Sequence, residues 1–254
     1  MKSEFCHNVH RIQINADLGE GTGQDNALMP YLDLCSIACG GHYGDHDTIA
    51  AAIDLALKHQ VNIGAHPSYP DPENFGRISM PIDEDELTET IREQLYTFKH
   101  ILDQRGGILH HIKFHGALYN DMIQDQKLFT HCLRSAQSVC SDFKLITAQP
   151  QFSFANFTSD YPILWEVFGD RHYDIHRTLL PRAAKNALIS DPKTIVSRTK
   201  FLLEEGKIYP LDGVPFSINY DTICIHSDTP NATRILKAIR RQLNQWKKEC
   251  QHES

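Results

Sequence analysis

The chain has 254 residues, 41% of them apolar and 22% charged, with a formal net charge of -7. That acidic balance excludes a phosphate-backbone binder, and no apolar run approaches the roughly 18 residues that cross a bilayer. The length suits one α/β barrel domain over residues 1–254, and the polar stretch Met1 to His10, unlike a signal peptide, points to the cytoplasm.

In chain order, the predicted strands are Arg11 to Asn15, Cys35 to Cys39, Val61 to Ala65, Leu109 to Phe114, Lys144 to Ala148, Ile163 to Val167 and Thr222 to Ile225. Segments of helical period lie between them: Asp47 to His59, Glu84 to Gln104, Lys127 to Cys140, Pro192 to Glu205 and Asn231 to Lys248. A βαβα order makes a parallel sheet, and closure gives a barrel. Asp47 or Thr48 is expected to cap the Asp47 helix, and Asp83 with Glu86 has the spacing of a capping box. Gly106-Gly107 and Gly206 mark helix ends, and the tail after Trp246 is expected to fray. The Pro-rich stretch Pro67 to Pro72 reads as a strand-to-helix loop, and no repeat or linker divides the chain. Seven cysteines, an odd number without a Cys-x-x-Cys pair, are expected to be reduced thiols, with Cys35 and Cys39 packing in the core.

Nearly every predicted strand runs into polar residues at its carboxyl end. Asn15, Asp17 and Glu20 follow the first, His42 and Asp45 the second, and His66 the third. Lys113 and His115 close the fourth, Glu166 with Asp170-Arg171 the sixth, and His226 with Asp228 the last. A parallel barrel gathers these ends on one face, where active sites of such folds sit. Most of the 15 histidines, such as His59, His100, His110 and His131, are expected to be structural. Histidines at equivalent ends of several strands, joined by Asp17 and Lys113, suit hydrolysis. A carboxylate or imidazole activates water, a cation holds an anionic group, and imidazoles donate to an oxyanion. The expected catalytic set is Asp17, His42, His66, Lys113 and His115. No Gly-x-x-x-x-Gly-Lys-Ser/Thr loop is present to cradle ATP phosphates.

The same residues carry a resemblance. Asn15-Ala16-Asp17-Leu18-Gly19-Glu20, Ala38-Cys39-Gly40-Gly41-His42, Gly64-Ala65-His66-Pro67 and His115-Gly116-Ala117-Leu118-Tyr119-Asn120 are similar to the signature blocks of the LamB/YcsF family. Phe75-Gly76-Arg77, the block from Glu166 to Arg171 with Tyr173, Leu180-Pro181-Arg182 and Ile223 to His226 extend the similarity over almost the whole chain. The resemblance implies a distorted parallel (β/α)7 barrel related to glycoside hydrolase and deacetylase folds. It also implies a hydrolase acting on a cyclic amide, a component of an ATP-dependent 5-oxoprolinase that yields L-glutamate. ATP would then be bound by partner subunits B and C, and substrate would meet Asn15, Glu20, Asp45, Tyr119, Asn120, Glu166, Arg171, Arg182 and His226.

The sequence departs from the family pattern at Phe114, where the family has Pro, and at Ser68 and Ser227, where it has Gly. His176-Arg177 stands where the family has Asp-Gly, adding positive charge beside the substrate loop. Related deacetylases carry paired aspartates after the first strand, whereas Leu18 follows Asp17 here. A divalent metal then remains an open element, with Asp17, His42 and His66 as the candidate ligands and Glu20 as a substitute for Asp17. The alternatives are a metal-dependent deacetylase or amidohydrolase on an N-acetylated sugar or other small amide, and a non-catalytic small-molecule binding protein.

Overall fold

Strand β2, Leu34–Ala38, is buried at all five positions, which a strand achieves when both its faces are covered. It pairs in parallel with β1, Gln13–Leu18, and β3, Asn62–His66. The pairing continues through β4, Leu109–Ile112, β5, Lys144–Thr147, and β6, Ile163–Phe168. Two further strands, β7 (Lys207–Ile208) and β8 (Phe216–Ser217), form a separate antiparallel pair before β9, Thr222–Cys224. β9 lies between β6 and β1 and closes the barrel in the order β1-β2-β3-β4-β5-β6-β9. These relations come from a computed structural model that describes residues 2–153 and 162–251.

Inside so narrow a barrel side chains must interdigitate. His111 on β4 fills the space opposite Gly64 on β3, where an added Cβ would fall 2.2 Å from the imidazole. Its Nε2 lies 3.2 Å from Ser36 Oγ of β2, and burial holds it neutral, well below the ordinary histidine range.

The surrounding helices follow the expected stripes. α4, Glu84–Gln104, buries Leu87, Ile91, Leu95, Phe98 and Leu102 on one face, the spacing of a 3.6-residue period. Asp83 caps it by accepting from Asp85 N, so the cap is present without the reciprocal bond expected of Glu86. α7, Pro192–Glu205, starts on an Asp191 cap and stops at Gly206, whose φ of 63° continues no helix. α3, His46–His59, begins one residue before the predicted segment. Asp45, not Asp47 or Thr48, is its cap, in a capping box with Thr48.

Several expectations are corrected. Arg11 ends a helix, α1 (Lys2–Arg11), so β1 starts at Gln13. α2, Asp25–Leu28, and α5, Gly116–Met122, form inside stretches that lacked a helical period long enough to read. α6 spans Gln126–Gln137, ending short of Cys140. α8, Ala232–Gln251, does not fray after Trp246, because Trp246 and Cys250 are buried and Phe5 of α1 packs edge-on to Trp246 at 5.7 Å. Cys6 of α1 and Cys250 of α8 form a disulfide with Cα atoms 5.6 Å apart, which corrects the expectation that all cysteines are reduced. A separation of 244 residues hides such a pair from any spacing rule. Cys35, Cys39, Cys132, Cys140 and Cys224 are free and buried.

Candidate active site

The strand order places the carboxyl ends of β1, β3, β4, β6 and β9 around one cavity of about 680 Å³. Parallel pairing persists past the end of β4. Lys113 N donates to Ala65 O, and His115 N donates to Pro67 O. Lys113 and His115 therefore alternate on an extended backbone and both face the cavity. Gly116 makes the turn that follows, with φ +59°, and an added Cβ there would fall 2.3 Å from Gly76 O.

Lys113 is the buried cation at the floor. Its Nζ lies 2.9 Å from Asp17 Oδ1 and 2.8 Å from Glu166 Oε1, with Asn15 Oδ1 and Cys224 Sγ each at 3.4 Å. Burial alone would discharge it, but Asp17, Cys224 and Glu166 raise its pKa well above the ordinary lysine value. Burial likewise opposes the Asp17 charge, yet His66 and Lys113 hold that carboxyl well below its usual range. Tyr119 donates to Glu166 Oε2 at 2.8 Å, so Glu166 carries both a cation and a hydroxyl.

Beside this pair sits an imidazole cluster. His66 Nδ1 donates to Lys113 O at 2.7 Å, and His115 Nε2 donates to Phe75 O at 2.9 Å. Their other ring nitrogens, His66 Nε2 and His115 Nδ1, face each other at 3.0 Å. Glu20 Oε1 lies 3.2 Å from His42 Nε2, 3.3 Å from His115 Nδ1 and 3.8 Å from His66 Nε2. The His42 ring stacks on His115 at 3.6 Å, and burial lowers its pKa to about 4. Burial also lowers the pKa of His115, whereas Asp17 and Glu20 overcome burial at His66 and raise it. His115 and His42 beside it keep Glu20 ionised against the burial that opposes it.

The wall and mouth are cationic. Arg171 is buried, donates to Leu180 O, and has no partner for Nε among the described residues. Arg182 and Arg77 both pair with Asp228, the latter at 2.7 Å. His176 and Arg177, the departures noted above, line the same cavity, as does Phe114. Ser227 donates to Glu20 Oε2 at 3.5 Å, and Ser68 is buried against Gln94.

Of the residues singled out from the sequence, Asp17, Glu20, His66, Lys113, His115, Tyr119, Asn120, Arg171, Arg182 and His226 line the cavity. Four do not. Asp45 is exposed and spends its carboxylate capping α3, because an aspartate just before a helix satisfies free backbone N–H groups. Asn15 is buried and donates to Thr222 Oγ1 inside the barrel. Glu166 lies within β6 beneath Lys113, and His42 lies behind His115. Sequence reasoning gave no role to Arg77, Phe75 or Asp170. Phe75 acts through its carbonyl in a positive-φ backbone that no side-chain pattern announces. Asp170 fixes His226, accepting from its backbone N and from Nδ1. Asp170 was already singled out at the end of the sixth strand, and only its part in fixing His226 was not legible.

A family model described as the LamB/YcsF family matches residues 12–253. The chain is 36% identical to a Vibrio cholerae protein named as the A component of 5-oxoprolinase, over 92% of this chain and 98% of that protein. It is 32% identical to the protein of the same name from Vibrio parahaemolyticus, over 93% of this chain and 97% of the other. The crystal structure of a lactam utilization protein from Thermus thermophilus superposes with a TM-score of 0.83 at 30% identity, covering 92% of this chain and 96% of that one.

Proposed function

The chain belongs to the LamB/YcsF family, and from that membership we propose that it is the ring-opening component of an ATP-dependent 5-oxoprolinase. On this reading it is a hydrolase that acts as one barrel unit of a multi-subunit complex. Partner subunits B and C bind ATP and phosphorylate the lactam, and this chain hydrolyses the activated ring to L-glutamate. The observation that carries the reading is the floor of the cavity, where a buried ammonium, a carboxylate and an imidazole–carboxylate cluster meet beneath arginines. The relatives' names support the substrate class. ATP chemistry belongs to the cytoplasm, where a bond such as Cys6–Cys250 is uncommon.

The chemistry follows from the positions. Water adds to the activated ring carbon, the C–N bond breaks and the released nitrogen takes a proton, and a second water releases the phosphoryl group as inorganic phosphate, leaving L-glutamate. Asp17 faces the cavity and is the carboxylate placed to draw the proton from that water. Lys113 stays charged and stabilises the negative charge that builds on the oxygens bound to that carbon. His115 donates its Nε2 proton to Phe75 O, so it is not the oxyanion donor that its strand position suggests. Arg171, with a free Nε, takes the carboxylate or phosphoryl group of the substrate. A second reading, another small lactam or amide, is favoured by Arg177 and the adjacent His176 at the mouth, where the family has Asp-Gly.

The test is glutamate formation from 5-oxoproline and ATP, with the chain alone and with subunits B and C. Glutamate in the reconstituted mixture only is the expected result. No glutamate in either mixture moves the assignment to the second reading.

A further inference from the structure

We propose that Glu20, His66 and His115 form a binding site for one divalent cation of the zinc class, open toward the cavity. The first observation is a conflict between acceptors. A carbonyl oxygen only accepts, so the proton of His66 sits on Nδ1 and that of His115 on Nε2. With both rings in their neutral form, as metal ligation requires, the inward nitrogens His66 Nε2 and His115 Nδ1 present lone pairs to each other at 3.0 Å. Glu20 Oε1, a third acceptor, lies 3.3 Å from one and 3.8 Å from the other. An added proton bridges one pair of these acceptors at a time, whereas a single divalent ion engages all three at once.

The spacing fits such a centre. Bonds of about 2.0–2.1 Å at tetrahedral angles put neighbouring donor atoms about 3.3 Å apart, and the three separations here are 3.0, 3.3 and 3.8 Å. Two imidazoles with one carboxylate suit zinc over magnesium or calcium, which take oxygen donors. The supporting contacts are those a metal site requires. Each ligand ring is fixed by a backbone carbonyl on its outer nitrogen, and His42 Nε2 donates to Glu20 Oε1 at 3.2 Å. His42 is 1% exposed and its Nδ1 has no partner among the described residues, so this buried ring serves to hold Glu20 and to stack on His115. Asp17, a ligand candidate from the sequence, pairs with Lys113 through Oδ1 at 2.9 Å, and its Oδ2 lies 3.5 Å from His66 Nε2 at the edge of the site.

All three proposed ligands line the cavity, so the fourth position opens toward substrate. What such an ion supplies is Lewis-acid polarisation of a carbonyl oxygen. Its place in ring opening rests on the lactam reading above, whereas its binding does not.

The full chain, stripped with a chelator, is titrated with Zn²⁺ alone by calorimetry and with Co²⁺ followed by visible absorption. The expected result is one ion per chain with micromolar or tighter affinity and the intense Co²⁺ spectrum of a four-coordinate site. His66→Gln and His115→Gln, each checked by circular dichroism, weaken binding by at least about 100-fold, since losing even an outer partner of a ligand costs 10- to 100-fold. His46→Gln, exposed on α3, leaves binding unchanged. No stoichiometric binding, a weak six-coordinate Co²⁺ spectrum, or affinity that survives both substitutions overturns the site, and the spectrum of the unsubstituted chain decides if the variants misfold. With subunits B and C added, metal-free chain that releases glutamate at the full rate overturns the ion's role. Zn²⁺ binding without glutamate under any condition retires the lactam reading and leaves the metal site standing.

Discussion

Replacing Lys113 with Met keeps the stem and deletes the charge beneath the cavity. Two carboxylates, Asp17 at 2.9 Å and Glu166 at 2.8 Å, lose their shared cation in a place where Lys113 is only 2% exposed. Removing one member of a buried ion pair costs about 3–5 kcal/mol, because the remaining charge is left uncompensated. For a chain of this size each kcal/mol corresponds to about 2–4 °C, so the melting temperature should fall by roughly 6–20 °C at neutral pH. The pH dependence has a definite sign. The Asp17 carboxyl is held below its ordinary value in the folded protein, so its contribution is full above the unfolded carboxyl pKa and lost as pH falls through the folded one. Lys113→Met removes a cause of that depression, so the stability gap to the parent should hold from pH 8 to about 4 and narrow only as pH falls below the ordinary carboxyl value. Turnover should fall by about 100-fold or more, the scale of a lost oxyanion donor. Thermal melts from about pH 2 to 8 and kcat in the reconstituted complex measure both effects. A variant that melts within 2 °C of the parent and turns over normally refutes both roles.

Asp17→Asn should reduce turnover by roughly 10²–10⁴-fold. Because Asp17 also pairs with Lys113, thermal melts should register a loss of about 1.5–3 kcal/mol, with Glu166 still holding the lysine. A few-fold change in turnover assigns the base elsewhere. Arg171→Met should raise KM about 10- to 100-fold with a smaller change in kcat, the weight of one hydrogen bond to a charged group, and an unchanged KM removes Arg171 from substrate binding. The isolated chain should neither hydrolyse ATP nor bind it tightly, and calorimetry giving micromolar ATP affinity would contradict the division of labour among subunits.

The barrel was legible because its signals are local. Glu84–Gln104 and Pro192–Glu205 match the predicted segments, each with an aspartate cap directly before it. α1 was not legible, since only Val9 of its ten residues is buried and the helix depends on α8 across the fold. The site was readable to the extent that a parallel barrel converts strand ends into one surface. That rule located Asp17, His66 and Lys113, and it misplaced Asp45, whose neighbour in sequence is a helix that needed a cap. Division of labour among the histidines was beyond the sequence, because it rests on which ring nitrogen meets a carbonyl, a relation between residues 40 and more positions apart.

The Cys6–Cys250 bond has a mechanical consequence. α1 precedes β1 and α8 follows β9, so the bond ties the first helix to the last. Stretched between its termini in an optical trap, the oxidised chain bears the load through that covalent link, and the barrel feels none of it. Reduced, the same molecule must shear α1 from α8 first, and it then releases a contour of on the order of 800–900 Å from the 244-residue separation.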